Sequence, residues 1–496
     1  MPEETNLLGK TVRGAQWLFF SRLLVRLLQF ARTLVLAVLL LPKDFDLAAV
    51  AFIAINFLET FSVTGFDVAL IRKKGEVGGY LDTVWTALAA RGLLLALLLI
   101  ALAKPVAWFF DRDAVEYLLY TMSLAFLFRG LTNVGIILFN KEMDFARRFV
   151  YIAAGGIVDA ATAIVCALIF RSVWALVFGV LAREVVQAIL SYVLHPHRPR
   201  WSFVPSRFRE LSVFGKWILL ENVVIYLLLN VDQMFVGKAL PPPALGLYAM
   251  AYLVSSTLIA EIGGVFSEVL LPAYARLLDD KERLQKAYRD ALTMIALIAF
   301  PMSGGMLMLA PEITETFLGE KWLAMAPAMM LLCLWGMERG IVATTSPILR
   351  AVNRPDISPK MNLIRLVGLC AAIYPFTVLF GWGITGTAAA VLVGALLAAP
   401  LNYPIFLNLL GMPARMFTDA LLLPIVGTAG MMGAITLVKE LVGVGKGAVW
   451  LILLIAGGAV VYGVSVFVVD RLKERELATL IARVMKTVKS GREGAA

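Results

Sequence analysis

The chain has 496 residues, of which 60% are hydrophobic and 16% charged, with a mean hydropathy of +0.84 and a formal net charge of +10. That composition excludes a water-soluble domain, because so few polar side chains cannot cover so many apolar ones. The expected class is an all-α polytopic membrane protein, since a helix satisfies its own backbone amides in lipid, where each unpaired one costs several kcal/mol.

A crossing helix needs about 20 mostly apolar residues, and the pattern predicts about fourteen such spans. The first, 15–41, opens at Gly14-Ala15-Gln16-Trp17 and meets the second, 45–70, just after Leu41-Pro42. Spans 82–103, 115–140, 149–170 and 172–194 complete a first group. A second group of equal number runs through 213–239, 245–271, 288–310, 322–349, 361–381 and 384–410, with two further spans at 418–439 and 447–469. The groups repeat one another. Gly215-Lys216-Trp217 opens the second as Gln16-Trp17 opens the first, and Phe45, Leu47, Ala51, Phe52 and Phe66 fall opposite Leu245, Leu247, Ala251, Tyr252 and Phe266 without a gap. An even number of spans per copy makes the repeats parallel, related by an axis along the membrane normal, an arrangement that puts a transport site between the halves. The predicted organisation is an N-lobe over 1–194, a cytoplasmic linker over 195–212, a C-lobe over 213–410, two extra spans within 411–470 and a basic cytoplasmic tail over 471–496. In the tail, Leu477, Ile481, Val484 and Val488 recur at helical spacing among basic residues, which reads as an amphipathic helix on the inner membrane surface.

Positive charge gives the orientation. Arg72-Lys73-Lys74, Arg147-Arg148, the Arg198 to Arg209 loop, the Arg276 to Arg289 loop and the tail share one side if both termini are cytoplasmic, as the bias of Lys and Arg toward cytoplasmic loops requires. The net charge is therefore a topology signal in a cell-membrane protein and predicts no nucleic-acid partner. Residues 1–10 are polar and the first apolar run is long and interrupted by arginines, so no cleaved signal peptide is expected. Cys166, Cys333 and Cys370 lie inside apolar spans and read as buried hydrophobes, with no disulfide or metal site. Gly443-Val444-Gly445-Lys446-Gly447 lacks the spacing and hydroxyl of a phosphate-binding loop, and His195 and His197 sit in a Pro/Arg-rich link where a polar role outweighs metal binding. No enzymatic constellation is found.

Charge within the spans carries the functional signal, because an ionisable group at mid-bilayer costs about 2.5–3.5 kcal/mol while a Leu or Ile returns only about 0.3–0.6. The first span holds Arg22, Arg26, Arg32 and Gln29 and no acid. Arg22, Arg26 and Gln29 share a helical face, with Arg32 less than a quarter turn from its edge, so one side of this helix is a cationic strip. Ion pairing with Glu59 or Asp67 of the second span is the structural alternative. The first group of spans is net positive and the second net negative, which suits a cavity holding an anionic group against the first. Arg129, Asn133, Glu59, Glu221 and Arg365 are further cavity candidates. Asp232, with Asn230 and Gln233 beside it, is the candidate ligand for a coupling cation, and an ion pair with an arginine such as Arg365 is its structural alternative.

These features resemble the polysaccharide-exporter branch of the MOP flippases, which includes Wzx-type and teichuronic-acid translocases. The likeness runs through Gly14-Ala15-Gln16-Trp17, Leu41-Pro42-Lys43-Asp44-Phe45, Gly65-Phe66, Ala69-Leu70-Ile71-Arg72, Met143-Asp144-Phe145, Val173-Trp174-Ala175-Leu176-Val177, Leu245-Gly246-Leu247-Tyr248 and Leu271-Pro272-Ala273-Tyr274. Two positions depart from the family pattern: Asp46, where glycine is usual, and Val38, where arginine is frequent. The resemblance implies two six-helix lobes that alternate access and flip a polyprenyl-diphosphate-linked oligosaccharide from the inner to the outer leaflet. Membrane lipids and other polysaccharide-assembly proteins are the implied partners of a monomer. It implies no cofactor beyond a coupling Na+ or H+. A cationic first helix suits the diphosphate, since Arg offers a planar fork of donors to phosphate. A cation-coupled multidrug exporter of the same superfamily is an alternative, disfavoured by the lack of an acid between Gly14 and Leu41. A membrane-embedded glycan polymerase or ligase is a further one, disfavoured by outer loops as short as Lys104 to Val115 and Ala310 to Lys321.

Overall fold

The chain folds wherever its apolar runs permit a helix to close its own hydrogen bonds. The computed structural model describes residues 25–63, 65–66, 69–70, 73, 77–142, 144–212, 215–354, 356–443, 445 and 447–472; Arg22, Asp67 and the tail beyond Leu472 lie outside these. Among the described residues there is no strand. The helices are α1 (25–39), α2 (Pro42–Phe61), α3 (Gly78–Phe110), α4 (Ala114–Gly130), α5 (Phe145–Phe170), α6 (Trp174–Leu194), α7 (Pro205–Ser212) and α8 (Gly215–Ala239). They continue as α9 (Ala244–Ala275), α10 (Lys281–Met308), α11 (Ala310–Phe317), α12 (Ala326–Ala351), α13 (Ile357–Tyr374), α14 (Gly383–Leu410), α15 (Ala414–Val442) and α16 (Ala448–Leu472).

Among the described residues, 9 helices are long and apolar enough to cross a membrane, and up to 11 if each of two bent pairs counts as one crossing. One bend, of 72°, separates α4 from the short turns at Val134–Lys141, and the other, of 42°, divides α9. The segments corresponding to the expected first, second and seventh spans are not among these. In α2 the reason is visible, since Lys43, Asp44, Asp46 and Glu59 interrupt its apolar run.

Contacts divide the chain into two compact units, one extending to Gly246 and the other beginning at Leu247. In the first, α5 packs on α6, α3 on α4 and α8 on α2. Missing side chains bring backbones together: a Cβ on Gly92 of α3 would lie 2.9 Å from the Cα of Gly130 of α4, the small-residue contact that lets membrane helices pack closely. In the second, α10 packs on α12 and α15, α13 on α14 and α15 on α16. Tyr274, Tyr288, Leu292, Ile348 and Phe406 are buried together in its core.

Two acids at the start of α2 fix the loops around it. Asp44 Oδ1 accepts from the backbone N–H of Val173 at 3.1 Å, and its Oδ2 accepts from that of Leu41 at 3.0 Å. Asp46 is fully buried; Oδ1 accepts from Leu245 N–H at 3.0 Å and Oδ2 from Arg112 Nε at 2.9 Å. Arg112 donates onward to the carbonyls of Phe110 at 2.8 Å and Leu240 at 3.2 Å. The departure from glycine at position 46 thus supplies a buried carboxylate that joins four chain segments. Asp46→Ala would leave the Arg112 guanidinium, 5% exposed, without its counter-charge. We expect it to cost about 3–5 kcal/mol in detergent unfolding experiments, with most of the loss recovered when Arg112→Met is added.

Candidate functional site

Inside the first unit lies a polar cavity of about 410 Å3. Gln29 reaches it from α1, Arg129 from α4, Tyr151 and Gly156 from α5, and Arg183, Glu184 and Gln187 from α6. The chain between α4 and Val134, where the 72° bend falls, supplies Thr132 and Asn133.

Arg129 and Arg183, the guanidiniums that line this cavity, each have a carboxylate partner. Arg129 is ion-paired with Glu59 of α2 and with Glu184 of α6, the latter at 2.6 Å. Arg183 also bonds Glu184, at 2.9 Å. Arg32 of α1 pairs with Asp159 of α5 at 2.8 Å. Glu59, expected together with Asp67 as a partner of the first span, is engaged by Arg129, and Arg32 of that span meets Asp159; Asp67 lies outside the described residues.

Asn133 is fully buried and its side chain is committed to structure. Its Oδ1 accepts from Gly135 N–H at 2.9 Å and its Nδ2 donates to the carbonyl of His197 at 2.7 Å, while Ser191 Oγ accepts from its backbone N–H at 2.9 Å. It shapes the wall and ties it to the link that follows α6. That link is itself held down. Asp82 Oδ1 accepts from Arg200 N–H at 3.1 Å and lies 3.2 Å from His197 Nε2, Thr86 Oγ1 accepts from Ser202 N–H at 3.1 Å, and Trp201 meets Trp85 edge-on at 4.7 Å.

The remaining candidates lie apart from the cavity. Arg26 is exposed on α1 and is not among the cavity residues. Arg365 of α13 pairs with Glu338 of α12 in the second unit. Asp232 is 2% exposed and its Oδ1 accepts from Gln233 N–H at 2.9 Å, while Asn230 Nδ2 donates to the Tyr226 carbonyl at 2.8 Å. Arg22 and the side chain of Glu221 are outside the described residues. Among the described residues no group of three or more His, Cys, Asp or Glu side chains is placed to hold a metal ion.

A profile of the family described as polysaccharide biosynthesis protein matches residues 35–327, more than half of the chain. The chain belongs to this family. Among curated relatives of this polysaccharide biosynthesis protein, the lipopolysaccharide biosynthesis protein WzxC of Escherichia coli (strain K12) is 24% identical over 366 residues, covering 73% of this chain and 74% of its own. The teichuronic acid biosynthesis protein TuaB of Bacillus subtilis (strain 168) is 22% identical over 360 residues, covering 72% and 74%. Among solved structures, the inward closed conformation of the lipid II flippase MurJ superposes with a TM-score of 0.72 at 17% identity, covering 92% of this chain and 98% of that one. An inward-facing multidrug resistance MATE family transporter of the MOP superfamily gives 0.63 at 15% identity, covering 79% and 98%. These likenesses show that the family member has the MOP fold, as its sequence resemblance implied.

Tyr151, Thr132 and Gln187 were not expected at the site. The available signal was the adjacent pair Arg183-Glu184 inside an apolar span, with Gln187 one turn further on.

One titration tests the tie between cavity and link. His195 is buried and its Nδ1 accepts from His197 N–H at 3.1 Å. Burial holds its pKa below the ordinary 6.5. A histidine released from this packing takes up a proton more readily, so the packed link loses stability as pH falls from about 6.5 through the lowered folded-state value. Hydrogen exchange of residues 195–204, corrected for intrinsic rates, should be faster at pH 5 than at pH 7.5. Exchange independent of pH would show that His195 does not hold the link.

Proposed function

We propose that the chain is a flippase that carries a polyprenyl-diphosphate-linked oligosaccharide from the inner to the outer leaflet of the cell membrane for cell-surface polysaccharide assembly. The observation that supports this best is a polar cavity, walled by Arg129, Arg183, Glu184 and side-chain amides, inside the apolar helices of a polysaccharide biosynthesis protein. Ionisable and amide side chains grouped inside apolar helices are costly and find their use in a polar cargo. The names of relatives agree, one a lipopolysaccharide and another a teichuronic acid biosynthesis protein. In this reading the protein catalyses no covalent step and works as a monomer. Its two six-span repeats alternate access, the segments around α1, α2 and α8 also cross the membrane to give fourteen spans, and both termini are cytoplasmic. Other polysaccharide-assembly proteins supply and receive the glycan.

The diphosphate is assigned to the arginine strip of the first predicted span, at Arg26, which is exposed on α1, with Arg22 in the same predicted span. A charge-assisted, forked bond to phosphate is worth about 1.5–3 kcal/mol. Flipping of a fluorescent lipid-diphosphate saccharide in proteoliposomes should therefore fall about tenfold or more in Arg26→Ala, and Arg26→Lys should restore it only in part, because a point charge does not reproduce a fork. Full transport by the alanine variant at normal protein level would remove Arg26 from the site.

Energy coupling is assigned to Na+ or H+ at Asp232, assisted by Asn230. Asp232→Asn should give slow transport that no longer responds to an imposed gradient, read in the same proteoliposomes. A folded variant whose gradient response is unchanged would exclude that role.

A further inference from the structure

The guanidiniums that line the cavity of the first unit are already engaged: Arg129 lies between Glu59 and Glu184, and Arg183 shares Glu184. On α1, outside the lining, Arg32 is held by Asp159. A diphosphate entering here would have to pull arginines from buried partners and lie against the Glu184 carboxylate, 5% exposed. Breaking a buried pair without replacing it is strongly unfavourable. The walls offer neutral chemistry instead. Gln29 and Gln187 face the space from α1 and α6, and Tyr151 faces it from α5. Each carboxamide both donates and accepts. Hydroxyl groups do the same, and the tyrosine ring offers an apolar face to the C–H side of a pyranose. At about 410 Å3 the cavity is at the lower end of the usual range of ~300–1,000 Å3 for small-molecule sites, room for a sugar residue and not for a whole oligosaccharide.

We infer that this cavity is a subsite for one uncharged sugar ring of the glycan and that the diphosphate lies outside it. The inference rests on the flippase reading for the origin of the sugar. It also fits the first helix: Gln29 is three residues from Arg26, about 4.5 Å along the axis, so a diphosphate at Arg26 brings its first sugar to Gln29.

The test uses the full-length protein in lipid nanodiscs, with Cys166, Cys333 and Cys370 replaced by alanine and Gln187→Cys introduced. Labelling of the introduced thiol by a small polar maleimide is timed with methyl hexopyranosides, with methyl N-acetylhexosaminides, and with inorganic pyrophosphate. A glycoside at twice its Kd fills two thirds of the sites and slows labelling about threefold. We expect at least one glycoside to protect and pyrophosphate not to. Protection by pyrophosphate alone, or by none of the probes at saturating concentration, overturns the subsite. If the variant does not fold, saturation-transfer NMR on the unaltered protein makes the same distinction: glycoside signals that persist when pyrophosphate is added support it, and signals that vanish on that addition or never arise overturn it. Proteoliposome transport separates the two readings, since protection without transport removes the flippase and leaves the sugar site, and transport without protection does the reverse.

Discussion

An arginine in hydrocarbon must be answered by an acid, and that constraint arranges the helices of each unit. Insertion of a charge near mid-bilayer costs several kcal/mol, which a lone helix recovers only through many apolar residues. Here the answer comes from other helices. Arg32 joins α1 to α5, and Arg129 joins α4 to both α2 and α6. In the second unit Arg365 joins α13 to α12, and Lys439 of α15 meets Glu312 of α11 at 2.6 Å. Pairs of this kind contribute less to net stability than to register, because removing one partner is far worse than removing both. Each therefore restricts how two helices can slide past one another.

The same constraint explains where the helical pattern breaks. The bend between α4 and Val134 frees backbone groups, and side chains satisfy them from within the protein: Ser191 Oγ accepts from Asn133 N–H, Asn133 Oδ1 accepts from Gly135 N–H, and the Tyr192 hydroxyl donates to the Leu131 carbonyl. The break places Thr132 and Asn133 in the cavity wall, and Asn133 Nδ2 ties that wall to the His197 carbonyl of the link after α6.

Much of this was legible in the sequence, but in one dimension. Apolar run lengths located the crossing helices, and the excess of charge inside spans marked the helices that carry polar business. Helical periodicity put Arg26 and Gln29 on one face of α1, but it says nothing of which helix lies opposite. Hence Glu59, near in sequence, was the expected partner of the first span, whereas Asp159, more than a hundred positions away, is the acid that meets Arg32. Gln187 and Tyr151 carry no charge, so they gave no energetic warning of their place in the cavity. Asp46 stood out only as a departure from glycine, and its reason lies in Arg112 and in the start of α9, neither of which local pattern connects to it.

A carrier must also return without cargo, and charge pairing bears on that step. Guanidiniums left open to receive an anion would be stranded in a low-dielectric chamber each time the cargo left, raising the energy of the empty state and slowing the return. Carboxylates that already hold Arg129 and Arg183 make occupied and empty chambers similar in electrostatic energy. Neutral amides and a phenol then recognise hydroxyls through bonds that water can replace, so release needs no charge to be uncovered. For the proposed flippase, this argument sets the strongly anionic part of the cargo outside the cavity, at an exposed residue such as Arg26, and the sugar within it.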